Sequence, residues 1–271
     1  AVPSSLPLLL TIAAACSARG ASCGADQALK QADRGVSAVT LRLRPEDGAR
    51  YREHWIYDLA VPGQGLQREA VSFDVSLSSR MDQGSYALRH TVREHVTLHN
   101  GRPVAAPELR GQTFTQQWRS DHSMMGELDI GARTSEHEKA LHSLVQTASF
   151  GMLIEYPDQT VALGDSWSIE PRAHSIAPGL SATLRPTYTL EAIENQGAEL
   201  EAVIAADIQV DLTPTPVVDG VSLEGGGTAS STLRVRVRDG LLRDARTVLH
   251  FSQEITVAGG EVLGFREISA T

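Results

Sequence analysis

Ser166 lies in "GDSWS" at 164–168, and a serine becomes a nucleophile when an imidazole can take its proton. No Asp-x-x-His occurs in the chain to supply that base, so Ser166 reads as a turn residue ahead of a strand led by Trp167. "HEKAL" at 137–141 stops short of the zinc helix His-Glu-x-x-His, because Leu141 stands at the second ligand position. His137 and His142 lie about 140° apart around a helix and do not share an ion. His90, His95 and His99 fall in one strand. His95 and His99 share a face, but their Cα atoms are about 13 Å apart, too far for one ion without outside ligands. His90 points with the apolar set as a core histidine, and His122 beside Asp121 completes no pattern. The carboxylates form no inward-facing pair for acid–base work, and there is no phosphate loop or dinucleotide fingerprint. The chemistry-bearing residues therefore predict no catalytic set, no metal and no cofactor. The expectation is a protein that is not an enzyme.

The start of the chain carries a different signal. "LPLLLTIAAAC" is an apolar run from Leu6 to Ala15 that stops at Cys16. It is too short to span a bilayer and fits the apolar region and cleavage site of a signal peptide. Ala13-Ala14-Ala15-Cys16 resembles a lipobox, in which the cysteine is acylated and becomes the new N-terminus; Ala13 stands where that motif usually has Leu. Cys16 is thus the expected lipidation site, with a plain secretory signal or a buried segment as alternatives. Cys23 is the only other cysteine, so a small disulfide loop with Cys16 is the other use of the pair. Neither has a CxxC partner. The formal charge of -9 argues against nucleic acid and against electrostatic docking on anionic lipid.

From Val39 the dominant pattern is period-two alternation, the mark of half-buried antiparallel strands. The inward rows read Val39, Leu41, Leu43; Tyr51, Trp55, Tyr57, Leu59; Phe73, Val75, Leu77; and Tyr86, Leu88, Val92, Val96, Leu98. Later rows are Leu200 to Leu212 at even numbers and Leu233, Val235, Val237. Asp239-Gly240 predicts a tight turn before a strand over about 245–257, and the last strand ends near Ser269. Asp244 and Arg246 read as a solvated hairpin face, as do Arg238 and Asp239.

Three anchors repeat at nearly one offset: Gly48 with Gly164, "DQGSYALRHTV" from 82 with "NQGAELEAVIA" from 195, and "GQTFTQQW" from 111 with "GTASSTLRV" from 227. One helix stands between the copies, with Ser135 and Glu138 as a capping box and Ala140, Leu141, Leu144, Val145 and Ala148 at helical spacing. The predicted fold is mainly β: two tandem copies of an antiparallel meander forming curved sheets or a half-barrel, with one helix at the junction. The expected divisions are a signal peptide over 1–15, a tether over 16–36, a first β repeat over 37–134, the helix over 135–150 and a second β repeat over 151–271.

The stretch "YPDQTVALGDSW" at 156–167, followed by Tyr188, Thr189 and Leu190, resembles an uncharacterised group of bacterial lipoproteins. "LRLRPEDGARY" at 41–51 and "DGLLRDAR" at 239–246 share the likeness. It implies a β-rich exported domain with no established activity, so no catalytic residue is carried over. The expectation is a lipid-anchored protein of the bacterial cell envelope, facing the periplasm or the cell surface and held at the membrane by acyl chains on Cys16. It would bind a lipid or other hydrophobic ligand, or an envelope protein partner. Its candidate lining is Trp55, Tyr57, Phe73, Tyr86, Leu141, Leu144 and Val145, residues that would otherwise simply fill the core. The alternatives are a structural or assembly subunit, whose exposed strand edges would make the contacts, and a hydrolase using Ser166.

Overall fold

In the computed structural model the described residues are 36–61, 65–80, 85–104, 108–124, 140–141, 145, 154–177, 180–213, 215–218, 221–257 and 261–270. Residues 1–35, with Cys16 and Cys23, and Ser135, His137, Glu138, His142, Leu144 and Ala148 lie outside them. Of the junction helix, Ala140, Leu141 and Val145 are described, all helical, with Leu141 and Val145 buried.

The protein is mainly β and antiparallel. The first half contributes β1 (Ala38–Val39), β2 (Arg50–Val61), β3 (Gly65–Arg80), β4 (Ser85–His99), β5 (Arg102–Pro103) and β6 (Thr113–Arg119). The second contributes β7 (Val161–Ala162), β8 (Ser166–Ser168), β9 (Arg172–Ala177), β10 (Leu180–Gln196), β11 (Glu199–Leu212), β12 (Thr215–Val218), β13 (Val221–Arg236), β14 (Leu242–Val257) and β15 (Glu261–Ala270). One large sheet runs β5-β4-β3-β2-β15-β14-β13-β11-β10-β8 without closing into a barrel, while β1 pairs with β7.

The repeat is visible in particular hydrogen bonds. Ala49 N donates to Glu46 O (3.1 Å) and Gly48 N to Leu77 O (3.0 Å); Asp165 N donates to Ala162 O (3.0 Å) and Gly164 N to Leu190 O (2.8 Å). Gly48 and Gly164 have φ of 74° and 87°, so each copy opens on the same left-handed turn. Two clusters are buried, each drawn mainly from one half. One gathers Trp55, Tyr57, Phe73, Val75, Leu88, Phe114 and Trp118; the other gathers Leu184, Tyr188, Leu190, Ile204, Ile208 and Leu233.

Two expectations from alternation are corrected. Val39, Leu41 and Leu43 are buried, but only 38–39 lie in a strand; the rest of the segment crosses between the halves. Leu41 joins the second cluster and Leu43 the first. In β4, the ladder with β3 skips Arg93 between Ser72 and Phe73, a bulge that exchanges the two faces. Beyond it Val96 is 47 % exposed rather than inward, and Thr97 is buried in its place.

Candidate functional site

Among the described residues, β15 is the only strand joining the two halves of the large sheet, and it does so over a short stretch. It pairs with β2 at Ser269↔Ala60 and Ala270↔Leu59, and with β14 from Leu249 onward. Past those pairs β2 and β14 separate. β2 is laddered to β3 along its whole length, and β14 to β13, so each keeps one free edge. Among the described residues, Arg50–Asp58 and Leu242–Val248 have no strand on the side where they face one another. Between them lies a cleft of ≈ 1360 Å³.

The lower end of the cleft is held by interlocking turns. Leu43 N donates to Ser120 O and Arg44 N to Asp239 O, both at 2.7 Å. Tyr156 sends its hydroxyl to Gly240 O (2.8 Å), and burial holds that hydroxyl's pKa far above the usual tyrosine value. The cleft is thus closed at one end by β15 and at the other by turns from both halves.

Its inner wall on β2 carries a half-buried carboxylate. Glu53 faces inward between Tyr51 and Trp55 and accepts from Trp55 Nε1 (3.1 Å), while His90 Nε2 lies 3.2 Å away. His90 is buried and stacks on Phe114 at 4.4 Å and 3°. Burial raises the Tyr51 phenol, and the negative charge of Glu53 raises it further. His122, in a left-handed turn with φ 62°, is stripped of water and falls to about 4, although its contact with Ile154 O at 3.2 Å opposes the shift. A second inward carboxylate, Glu69, takes the Tyr57 hydroxyl and Gln67 Nε2 (3.1 Å), with His95 Nε2 3.7 Å away. Burial alone would raise Glu69; its partners outweigh that and hold it below the usual carboxylate value.

Glu53 and Glu69 both turn inward, and each is held by its own aromatic donor with its own histidine beside it. They stand four register positions apart along the β2–β3 ladder (Glu53↔Phe73, Tyr57↔Glu69), roughly 13 Å, so they form no acid–base pair. The signal was present in the sequence: position 53 falls on the inward row of "YREHWIYDL".

Both walls carry arginines, Arg50, Arg52 and Arg68 on one and Arg234, Arg236, Arg243 and Arg246 on the other. Seven arginines line the cleft against four carboxylates, although the chain as a whole carries -9. Most are engaged. Arg68 grips Asp58 through two bonds of 2.6 Å, Arg234 donates to Glu194 (2.6 Å), and Arg236 Nε donates to Asp239 (2.8 Å). Asp244 and Arg246 border this cleft instead of a free hairpin face, and burial raises Asp244.

Among the described residues no group of three His, Cys, Asp or Glu is placed to hold a metal. Ser166 Oγ shares its hydrogen bond with Thr189 Oγ1 (2.8 Å), and Asp165 accepts from Ala162 N (2.8 Å), so "GDSW" forms the turn that opens the second copy. Of the expected lining residues that are described, only Trp55 reaches the cleft, and Leu144 lies outside the described residues. Tyr57, Phe73, Leu141 and Val145 are fully buried in the first cluster, and Tyr86 packs half-buried against it. Comparison with protein-family models, with curated proteins and with solved structures finds no match. The cleft has to be read from its own residues.

Proposed function

We propose that this chain is a non-catalytic binding module of the bacterial cell envelope, carried at the membrane by acyl chains on Cys16, and that its cleft receives an extended segment of a protein partner. One observation carries the reading: among the described residues, two long strands present unpaired edges to each other across the same gap. Unpaired backbone N–H and C=O groups along a strand edge are a template for another strand, and a strand laid here would gain a ladder on both sides. A second reading, a hydrophobic ligand, draws on Leu43, Leu88, Trp118 and Leu242 in the lining.

Photo-crosslinking inside cells separates the two. A benzophenone amino acid is placed at Ile56 on one wall, at Arg246 on the other, and at exposed Leu163 as a control. The reading expects both walls to attach to the same stretch of the same polypeptide, competed by a peptide of that stretch, with no product from Leu163. Adducts of lipid mass from both walls contradict it and assign the cleft to the hydrophobic ligand.

A further inference from the structure

We infer that the segment filling the cleft is a strand that runs antiparallel to both β2 and β14 and carries acidic side chains on its outer face, with small or apolar ones on its inner face. The inference rests on the strand-filling reading above and adds the chemistry of the partner.

Direction follows from topology. β15 is antiparallel to β2 and to β14, so those two are parallel to one another, level where Leu59 and Leu249 flank Ala270. Counting down from that level sets Asp58 beside Val248, Ile56 beside Arg246 and His54 beside Asp244. A strand entering between them continues the alternation of β15 and meets each neighbour in antiparallel register.

The two faces then differ in kind. On the inner side the segment passes buried Trp55 of β2 and Ala245 of β14, and the inward Glu53 is already engaged by Trp55 Nε1 and His90 Nε2, so this face suits small or apolar side chains. On the outer side it passes Arg50 and Arg52 on one edge and Arg246 on the other, all exposed. Arg52 lies 3.6 Å from Asp74, both partners half-exposed, so little holds it there. Arg50 and Arg246 have no ion-pair partner among the described residues, although Asp244 lies two residues from Arg246 on the same face, with its carboxyl favoured in the charged form by Arg234 and Arg246. One unpaired cation therefore stands on each edge, in a cleft whose cations outnumber its carboxylates. An outward Asp or Glu on the incoming strand would lie across from them, where opposite charges on neighbouring strands attract and like charges repel.

The test uses the chain and three labelled nine-residue peptides, matched in length to Arg50–Asp58, that alternate valine with aspartate, serine or lysine. Binding is read by fluorescence anisotropy and located by hydrogen exchange. The aspartate peptide is expected to bind about tenfold more tightly than the serine peptide, with protection on both β2 and β14. That advantage should shrink severalfold between about 50 mM and about 500 mM salt, because exposed charges are screened. Replacing both cations, Arg50→Gln with Arg246→Gln, removes the advantage while serine-peptide binding stays. Arg246→Glu instead lets the lysine peptide bind. Equal binding of the aspartate and serine peptides on these edges overturns the acidic inference and leaves strand filling standing. No binding by any peptide, or binding without protection of the β2 and β14 edges, overturns both.

Discussion

His122 shows how one buried side chain ties this fold to pH. Its ordinary value is 6.5 and burial lowers it to about 4, so between those two values the unfolded chain holds a proton that the folded chain does not. Stability therefore falls as pH drops from about 6.5 towards 4, by a full cost of about 3 kcal/mol reached below that range. Urea unfolding of His122→Asn should lose most of that dependence between pH 7 and 4.5, since asparagine tolerates the left-handed backbone at 62° and carries no titrating ring. An unchanged slope would mean that other groups set it. Glu69 acts in a lower window: its depressed value gives stability present above the ordinary carboxylate range and lost as pH falls through the folded value. At this scale the sequence revealed His90 as an inward histidine. It did not reveal Glu53 as its partner, because alternation marks which face a residue takes and says nothing of which neighbouring strand lies alongside.

Individual elements were more legible. Strict alternation placed Tyr51, Trp55 and Tyr57 on β2, Phe73 and Val75 on β3 and the even-numbered row of β11 on their observed faces. It failed at Val96, where skipping one residue at Arg93 reverses every later side chain. It also mistook the crossing segment from Thr40 to Arg44 for a strand, since burial on alternate residues does not require a ladder. The Asp239-Gly240 turn was readable, but its tightness was not. Gly240 has φ 69°, and a Cβ there would lie 2.1 Å from Arg42 O, so the turn and the crossing segment fit only with glycine. Gly48, with φ 74°, has open space around it. Gly48→Ala should cost about 1–2 kcal/mol from backbone strain alone. Gly240→Ala should cost clearly more and loosen the lower end of the cleft. Thermal unfolding of the two variants checks this, and equal losses would show that the contact with Arg42 is slack.

The whole molecule is where sequence reading stopped. The Gly48 and Gly164 turns and the repeated segments led to an expectation of two copies of a meander; the described residues form two buried clusters within one open antiparallel sheet. The gap between them was not discernible. Arg50 and Arg246 lie 196 positions apart (50 to 246), and they share a cleft only because β15 joins the halves at one end while the turns around Leu43 and Gly240 tie them at the other. The central claim is that β2 and β14 each keep a free edge facing that gap. Residue-resolved amide hydrogen exchange on the free protein tests it most directly. Along Arg50–Asp58 and Leu242–Val248 the account predicts alternation between slow amides bonded to β3 or β13 and fast amides facing the cleft, with continuous protection in β3 along its ladders with β2 and β4. Uniform slow exchange through both stretches would mean that the edges are already paired, and would contradict it.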